Sequence, residues 1–439
     1  MFRRFWYGPV CSVFILFLGC VSTGAYNQID NEIYAGNYDN GVSLIDENRQ
    51  DMYRQRDVLL FYLDKGLLTH YARRFDESIL LLQEGERAIE TAYTKSVTQE
   101  IGTYILSDNT REYGGEDYED VYINVFNALN YYYQNNLEDA LVEIRRMNNK
   151  LQFLSVKYGV LMTDMQKMAL EQSADIPANE YLATAKFNDS ALARYLGLLF
   201  YRGIGQYDDA RIDRDYLKVA FANAPGVYSY PVPASVDEEL DIPGGKARLN
   251  VLAFSGMAPI KEEEVIRVPL PNARWIKIAL PVLRDRSSQV RRIEAVIDGG
   301  KERFDLELLE DVGAVARETF KEKEGLIYMK SILRATLKGV SSSVLDEASD
   351  RTEGNAGLLL SILSVGAQVM AEATERADLR ISRYFPGKVY VGGITLDPGV
   401  YSVTVNYYAG NGRLIAAYSH DAVEIKANTL NLTETMCLQ

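Results

Sequence analysis

Between about Asn27 and Ala224 the apolar residues recur every three or four positions, on a background rich in Leu, Ala, Tyr and Glu and poor in proline. That period places them along one face of a helix, so this half is predicted to be a run of amphipathic helices. Pro231, Pro233 and Pro243 then punctuate Gly226 to Lys246, which also carries the acidic run Asp237 to Glu239 and reads as a linker. Beyond it the period shifts toward two. RLNVLAFSG, EEVIRVPLP, RWIKIALPVL and RRIEAVIDGG read as strands with β-branched alternation. LELLEDVGAVARETF, LIYMKSILRATLKGV and GLLLSILSVGAQVMAEA read as helices, and KVYVGGITL, VYSVTVNYYAG, GRLIAAYSH and AVEIKA as strands again, with a hairpin turn at Gly410-Asn411-Gly412. The expectation is an α+β multidomain chain whose second half is an antiparallel β-sandwich with a helical insertion.

Four segments of the first half repeat one another. In LLFYLDKGLLTHYARRFDESILLL, Gly66 lies twelve residues before Ser78; in NALNYYYQNNLEDALVEI, Ala128 lies twelve before Ala140. YLGLLFYRGIGQYDDAR sets Leu198 twelve before Ala210, and YAGNYDNGVSLID keeps the second half of the pattern with Gly36, Tyr38 and Gly41. These strings match the tetratricopeptide (TPR) repeat, in which small residues let two antiparallel helices approach and aromatic residues fill the groove between them. A TPR-like α-solenoid needs about three stacked repeats for a continuous core, so four suffice. Extra segments such as Tyr93 to Glu119 and Leu151 to Ala185 separate the later units. A solenoid of this kind implies a concave face that holds a peptide or a partner protein. Tyr131, Tyr132 and Tyr133 are candidates to line it, since three consecutive residues of a helix point in three directions.

Met1 to Cys20, MFRRFWYGPVCSVFILFLGC, has Arg3 and Arg4 ahead of an apolar stretch from Val10 to Leu18. It is too short for a membrane span of ~20 apolar residues and reads as a signal peptide. Phe17-Leu18-Gly19-Cys20 resembles the lipobox of bacterial lipoproteins, with Phe17 in place of the usual Leu. The resemblance implies cleavage before Cys20, diacylglycerol on its sulfur and an acyl group on its amine, which together hold a protein firmly on a membrane. Val21 in place of an aspartate points to the periplasmic face of the outer membrane. The expected parts are a signal peptide 1–19, a tether 20–26, helices 27–225, a linker 226–246, and a β-rich domain 247–439 with its helical insertion at about 304–380.

Composition narrows the chemistry. The 439 residues carry 47 basic and 61 acidic side chains, a net charge of −14, which argues against nucleic acid as a partner. Two histidines and three cysteines leave no set for a His cluster, a Cys-rich zinc site or a disulfide framework. His70 and His420 neighbour no Ser or Cys motif, Ser341 to Ser343 form no nucleophile elbow, and no phosphate-binding loop is present. No catalytic residue, metal or cofactor is expected. Glu143 and Arg146 are helical neighbours suited to pairing, as a clamp between repeats or as a support that aims Arg145 at a carboxylate. Glu116, Asp117, Glu119 and Asp120 favour a helix start; Asp208, Asp209, Asp213 and Asp215 read as a solvated face.

Several strings together resemble an uncharacterised family of TPR-containing Gram-negative bacterial lipoproteins. They are GGEDYEDVYINVFNALNYYYQNNLEDALVEIRRMNNKL in the middle, and GMAPIKEE, IALPV, RATLK, ADLR and LDPGVYSV further on. The resemblance implies an envelope address and a partner concerned with envelope assembly. The functional expectation is a lipid-anchored scaffold that binds another envelope protein, with Tyr131, Tyr132, Tyr133, Arg145 and Arg146 as candidate contacts. The alternatives are a small-ligand-binding TPR component of a solute transport system and an enzyme of peptidoglycan metabolism.

Overall fold

A computed structural model describes residues 20–98, 111–157, 187–270, 274–339 and 376–439. The signal segment 1–19, Ser341 to Ser343 and the apolar stretch Gly357 to Ala371 lie outside the described residues, as does most of Leu151 to Ala185. No helix among the described residues is long and apolar enough to cross a membrane.

The first half forms four helical hairpins: α1 (Cys20–Tyr34) with α2 (Tyr38–Glu47), α3 (Val58–Tyr71) with α4 (Phe75–Thr98), α5 (Asp117–Tyr133) with α6 (Leu137–Lys157), and α7 (Ala191–Gly203) with α8 (Tyr207–Asn223). Each hairpin touches the next, α2 on α3, α4 on α5 and α6 on α7. The four turns are built alike. Gly36, Arg73, Asn135 and Gly205 occupy the left-handed region, with φ of 78°, 60°, 59° and 78°. The N–H of the residue after each reaches back five positions, to the carbonyls of Glu32, Thr69, Tyr131 and Tyr201. This Schellman arrangement satisfies the carbonyls at the end of the first helix and reverses the chain. Five residues on stand Gly41, Ser78, Ala140 and Ala210, all buried where the second helix crosses the first. Gly66 marks a close crossing: a Cβ there would lie 2.7 Å from Leu82.

The second half contributes ten strands, β1 (Ala247–Met257), β2 (Ile260–Leu270), β3 (Arg274–Arg284), β4 (Val290–Ile297), β5 (Glu302–Asp305), β6 (Glu307–Asp311), β7 (Pro386–Leu396), β8 (Gly399–Ala409), β9 (Leu414–Ile425) and β10 (Asn431–Cys437), and a long helix α9 (Val312–Gly339). Among the described residues one sheet runs β10-β1-β7-β6, a second β5-β4-β8-β9, and β2 pairs only with β3. β10 lies parallel to β1, whereas β7 is antiparallel to it. Alternation along β1 sorts its side chains. Leu249, Val251 and Ala253 face the second sheet, joining a core with Ile293, Ala295, Val403, Val405 and Tyr407. Leu252 and Phe254 face the helices, joining the larger core with Leu67, Phe126, Leu129 and Leu199. The molecule is therefore layered helix, sheet, sheet, with all eleven residues of β1 buried.

Three expectations change. Leu306 to Asp311 does not begin the helical insertion: β6 pairs with β7, and helix starts only at Val312. GRLIAAYSH and AVEIKA are one strand, β9, and NLTETM belongs to a strand, β10, that the pattern did not flag. Gly226 to Lys246 is not a free linker, because Tyr228, Val236 and Glu239 are buried and bonded on both sides.

The likeness of the turns has a testable consequence. A Cβ on Gly205 meets nothing within 4 Å, so Gly205→Ala should cost only the left-handed backbone, about 1 kcal/mol. Asn135→Gly, at the equivalent turn, should be neutral or stabilising. Urea unfolding of both variants measures the opposite signs.

Candidate functional site

The inner helices α3, α5 and α7 are buried almost all round, yet carry Asp64, His70, Glu119, Asn124, Asn127, Asn130 and Arg202. Buried polar groups need partners; for Asp64, His70, Glu119 and Arg202 some of these come from the β half or the connector. Together they form a polar seam along the inner side of the helical row, and this seam is the candidate site.

At its centre, Asn130 Nδ2 donates to Ser78 Oγ at 2.9 Å, and Ser78 Oγ donates to the Gly66 carbonyl at 2.9 Å. Asn130 Oδ1 is thereby left to accept from His70 Nδ1–H at 2.7 Å, which fixes the proton on that ring nitrogen. His70 Nε2 faces Glu434 Oε1 of β10 at 2.8 Å, which ties the helix to the sheet. This is a chain of Ser, Asn, His and Glu, but His70 is 1% exposed and Ser78 and Asn130 are fully buried. Nothing outside can reach the Ser78 hydroxyl, so the chain fastens β10 to α3, α4 and α5.

A second cluster joins the connector to both halves. The Glu239 carboxylate accepts a bidentate pair from Arg248 of β1, at 3.1 and 3.3 Å, and further bonds from Arg202 of α7, Asn250 and Tyr195. Burial pulls Arg248 down, but Glu239 outweighs it and holds the guanidinium above its ordinary range. A third cluster has no cation. Glu310 of β6 reaches the N-terminus of α7, where Ser190 Oγ, Tyr228 OH, Tyr122 OH and the Leu192 N–H donate to it. Burial raises this carboxyl, and the donors offset part of the rise. The fourth cluster surrounds residues 376–385. Asp64 accepts from Ser382 Oγ at 2.7 Å, Arg383 N–H at 2.9 Å and Tyr53 OH at 2.9 Å. Glu119 accepts from Ser382 N–H, from Tyr113 OH at 2.7 Å and from Glu116 N–H at 2.7 Å.

The sequence candidates divide between the two sides of the helices. Tyr132 is taken up by the sheet: its hydroxyl accepts from Leu432 N–H at 2.9 Å and donates to the Leu432 carbonyl at 3.2 Å. Tyr133 stacks on Phe75 at 4.6 Å beneath the Arg73 guanidinium. Tyr131 is half-buried and accepts from Gln83 at 3.1 Å. Arg145 and Arg146 are exposed on α6. Arg146 pairs with Glu143 at 2.9 Å and approaches Glu86 of α4 at 3.6 Å, a clamp between hairpins, while Arg145 contacts the Tyr201 hydroxyl at 3.4 Å. The inner side of the helical row, where a solenoid was expected to hold a partner, is thus covered by this chain's own sheet, because its inner helices carry polar groups matched to β1, β10 and residues 380–384. Asp213 also departs from expectation. It is 5% exposed and paired with Arg194 at 2.8 Å, not part of a solvated face. Asp64, Glu119, Glu239, Glu310 and Glu434 were not singled out for this role. The signal that could have found Asp64, His70 and Arg202 is a charged residue on the apolar stripe of a helix. Glu310 and Glu434 lie in strands the pattern missed.

No group of His, Cys, Asp and Glu that could hold a metal occurs among the described residues. No protein-family model, curated protein or solved structure matches the chain.

Removing one partner from a buried charge cluster leaves the others uncompensated. Glu239→Gln should therefore destabilise the protein by about 3–5 kcal/mol. Helical circular dichroism and tryptophan fluorescence should shift to lower urea together, because Glu239 bonds to both halves.

Proposed function

We propose that the chain is a lipid-anchored scaffold of the bacterial envelope that binds another envelope protein through the outer faces of its helices. In this reading the four hairpins are TPR-like repeats forming an α-solenoid. The β-rich half is a sandwich-like domain docked in the concavity, and Cys20 carries the lipid at the periplasmic face of the outer membrane. The alike turns and the small residues five positions later support the repeat reading.

One observation carries the partner-binding reading. The residue two positions after each small residue of the last three hairpins is aliphatic and exposed: Leu80 on α4 at 64%, Val142 on α6 at 37% and Ile212 on α8 at 51%. Solvent-exposed aliphatic side chains at equivalent positions of successive repeats do nothing for the fold and suit a partner surface. Val142 shares its helix face with Arg145 and Arg146, three and four residues on, so both arginine candidates remain contacts in this reading. The ligand-binding alternative has less behind it, because the Tyr- and Arg-bearing interior already holds Glu310 and Glu239 of the same chain.

Two measurements test the proposal. Cys20→Ser should move the protein from the membrane to the soluble fraction of fractionated cells; continued membrane association would refute the anchor. A photo-crosslinking residue placed at Leu80, Val142 or Ile212 should capture one envelope protein in living cells, whereas one at exposed Lys301 should not. Absence of adducts at all three helical positions would refute the outer-face interface.

A further inference from the structure

Residues 376–385 lead into β7, crossing α3 and α5 without regular structure of their own. Polar contacts fasten this strap at nearly every step. Glu263 of β2 accepts the Ala377 N–H at 2.8 Å, and Arg380 reaches Asp57 and the Arg111 carbonyl, both at 2.9 Å, while pairing with Asp378. Arg383 binds Asp30 of α1 at 3.0 Å, and the Tyr384 carbonyl accepts from Tyr71 OH at 2.8 Å. At the middle, the Ser382 and Arg383 N–H groups are held by two side-chain carboxyls, Glu119 and Asp64, from successive hairpins.

The charges around those two carboxyls are arranged unlike the rest of the seam. Glu239 has two guanidiniums, whereas among the described residues no cationic side-chain group hydrogen-bonds to Asp64 or Glu119. Asp64 accepts from the Tyr53 hydroxyl and lies near those of Tyr26, Tyr118 and Tyr384; the Arg383 guanidinium, which acts on it through space, is engaged with Asp30 and stacked on Tyr26. Glu119 faces Tyr113, Tyr118 and the like charge of Glu116. Lys261 of β2 and Lys323 of α9 bind Glu116 itself, and Arg286, which also acts on Tyr118, donates to the Ala258 and Arg383 carbonyls. Burial without a bonded cation drives such a carboxyl toward its neutral form, and the N–H and O–H groups that donate to it offset only part of that drive.

We propose that Asp64 and Glu119 form a pH-sensitive latch, which holds the 376–385 strap against the helices most tightly when both carboxyls carry a proton and loosens it as they ionise. Burial, chiefly, lifts Asp64 to about 6; burial and then Glu116 lift Glu119 to about 7. With the strap released and the groups in water, both would titrate near ~4. The docked state therefore binds more protons between roughly pH 4 and 7. Docking is strongest at the acid end of that window, weakens as pH rises through it, and levels off above the docked values. A rise of about two units in each group corresponds to on the order of a hundredfold in the docking equilibrium per group.

Amide hydrogen exchange on the full chain reads the latch directly. Protection of Ser382 and Arg383, corrected for intrinsic rates, should fall at least tenfold between pH 5.5 and pH 8, while β1 amides hold theirs. Asp64→Asn and Glu119→Gln should each reduce that pH dependence. Carboxyl-carbon NMR titration of the unmodified protein needs no variant and should place both groups well above ordinary carboxylates. Equal protection at the two pH values, or titration of both carboxyls near pH 4, overturns the proposal.

Discussion

The fold depends on placing ionisable side chains where neither half of the chain can accommodate them alone. His70 and Arg202 lie on the buried sides of largely apolar helices, and Glu434, Arg248 and Glu310 lie on strands buried against those helices. Leaving any of them without its partner costs the desolvation of a polar or charged group. The helical row and the sheet are consequently poor candidates for independent domains. Each completes the hydrogen bonding of the other, and the connector supplies Glu239 as the central ligand of one cluster. Hydrophobic burial then follows the same division, with β1 sending one set of side chains into the helices and the other into the second sheet.

Local structure was legible wherever it follows from periodicity or small size. The helical hairpins, their small crossing residues and the long alternating strands all announce themselves, because 3.6- and 2-residue patterns and close helix approach leave marks along the chain. The Gly-Asn-Gly turn after β8 did so as well. Arg73 did not look like a turn residue, since its left-handed backbone is imposed by hairpin closure and not by its own preference, whereas Asn135 is of a type that adopts that region readily. β10 was invisible for a related reason. Buried on both faces, with polar residues serving hydrogen bonds in each direction, Thr433, Glu434 and Thr435 show no apolar alternation.

The seam was legible only as an anomaly. A charged residue on the inward stripe of α3 or α7 signals that something polar must meet it, but the partner lies up to 364 residues away and leaves no spacing rule. Reading Asp237 to Glu239 as part of a linker shows the same limit: an acidic run beside prolines looks solvated until Arg202 and Arg248 are seen to converge on its last member. The charge pairs within one hairpin or between neighbours, such as Glu143 with Arg146, were accessible because helical geometry fixes their separation.

The sheets also constrain where a partner can bind. A bare strand edge invites another strand, and the long edges here are blunted. The Tyr132 hydroxyl caps the backbone of β10 at Leu432, and β9 carries two register shifts against β8 that bend it out of plane. β5 is four residues long, β6 is five with its own shift, and the free edge of β2 opens with Glu262, Glu263 and Glu264. Strand addition is thus guarded against on the same molecule whose helical row is covered on its inner side by its own sheet. The outer helical face carries the repeated exposed set, Leu80, Val142 and Ile212, beside the mixed charges of Glu84, Arg87, Arg145 and Arg146. Apolar anchors ringed by both signs of charge favour a partner with its own alternating charges over an acidic or basic polymer, in keeping with a chain whose excess of acid repels anions.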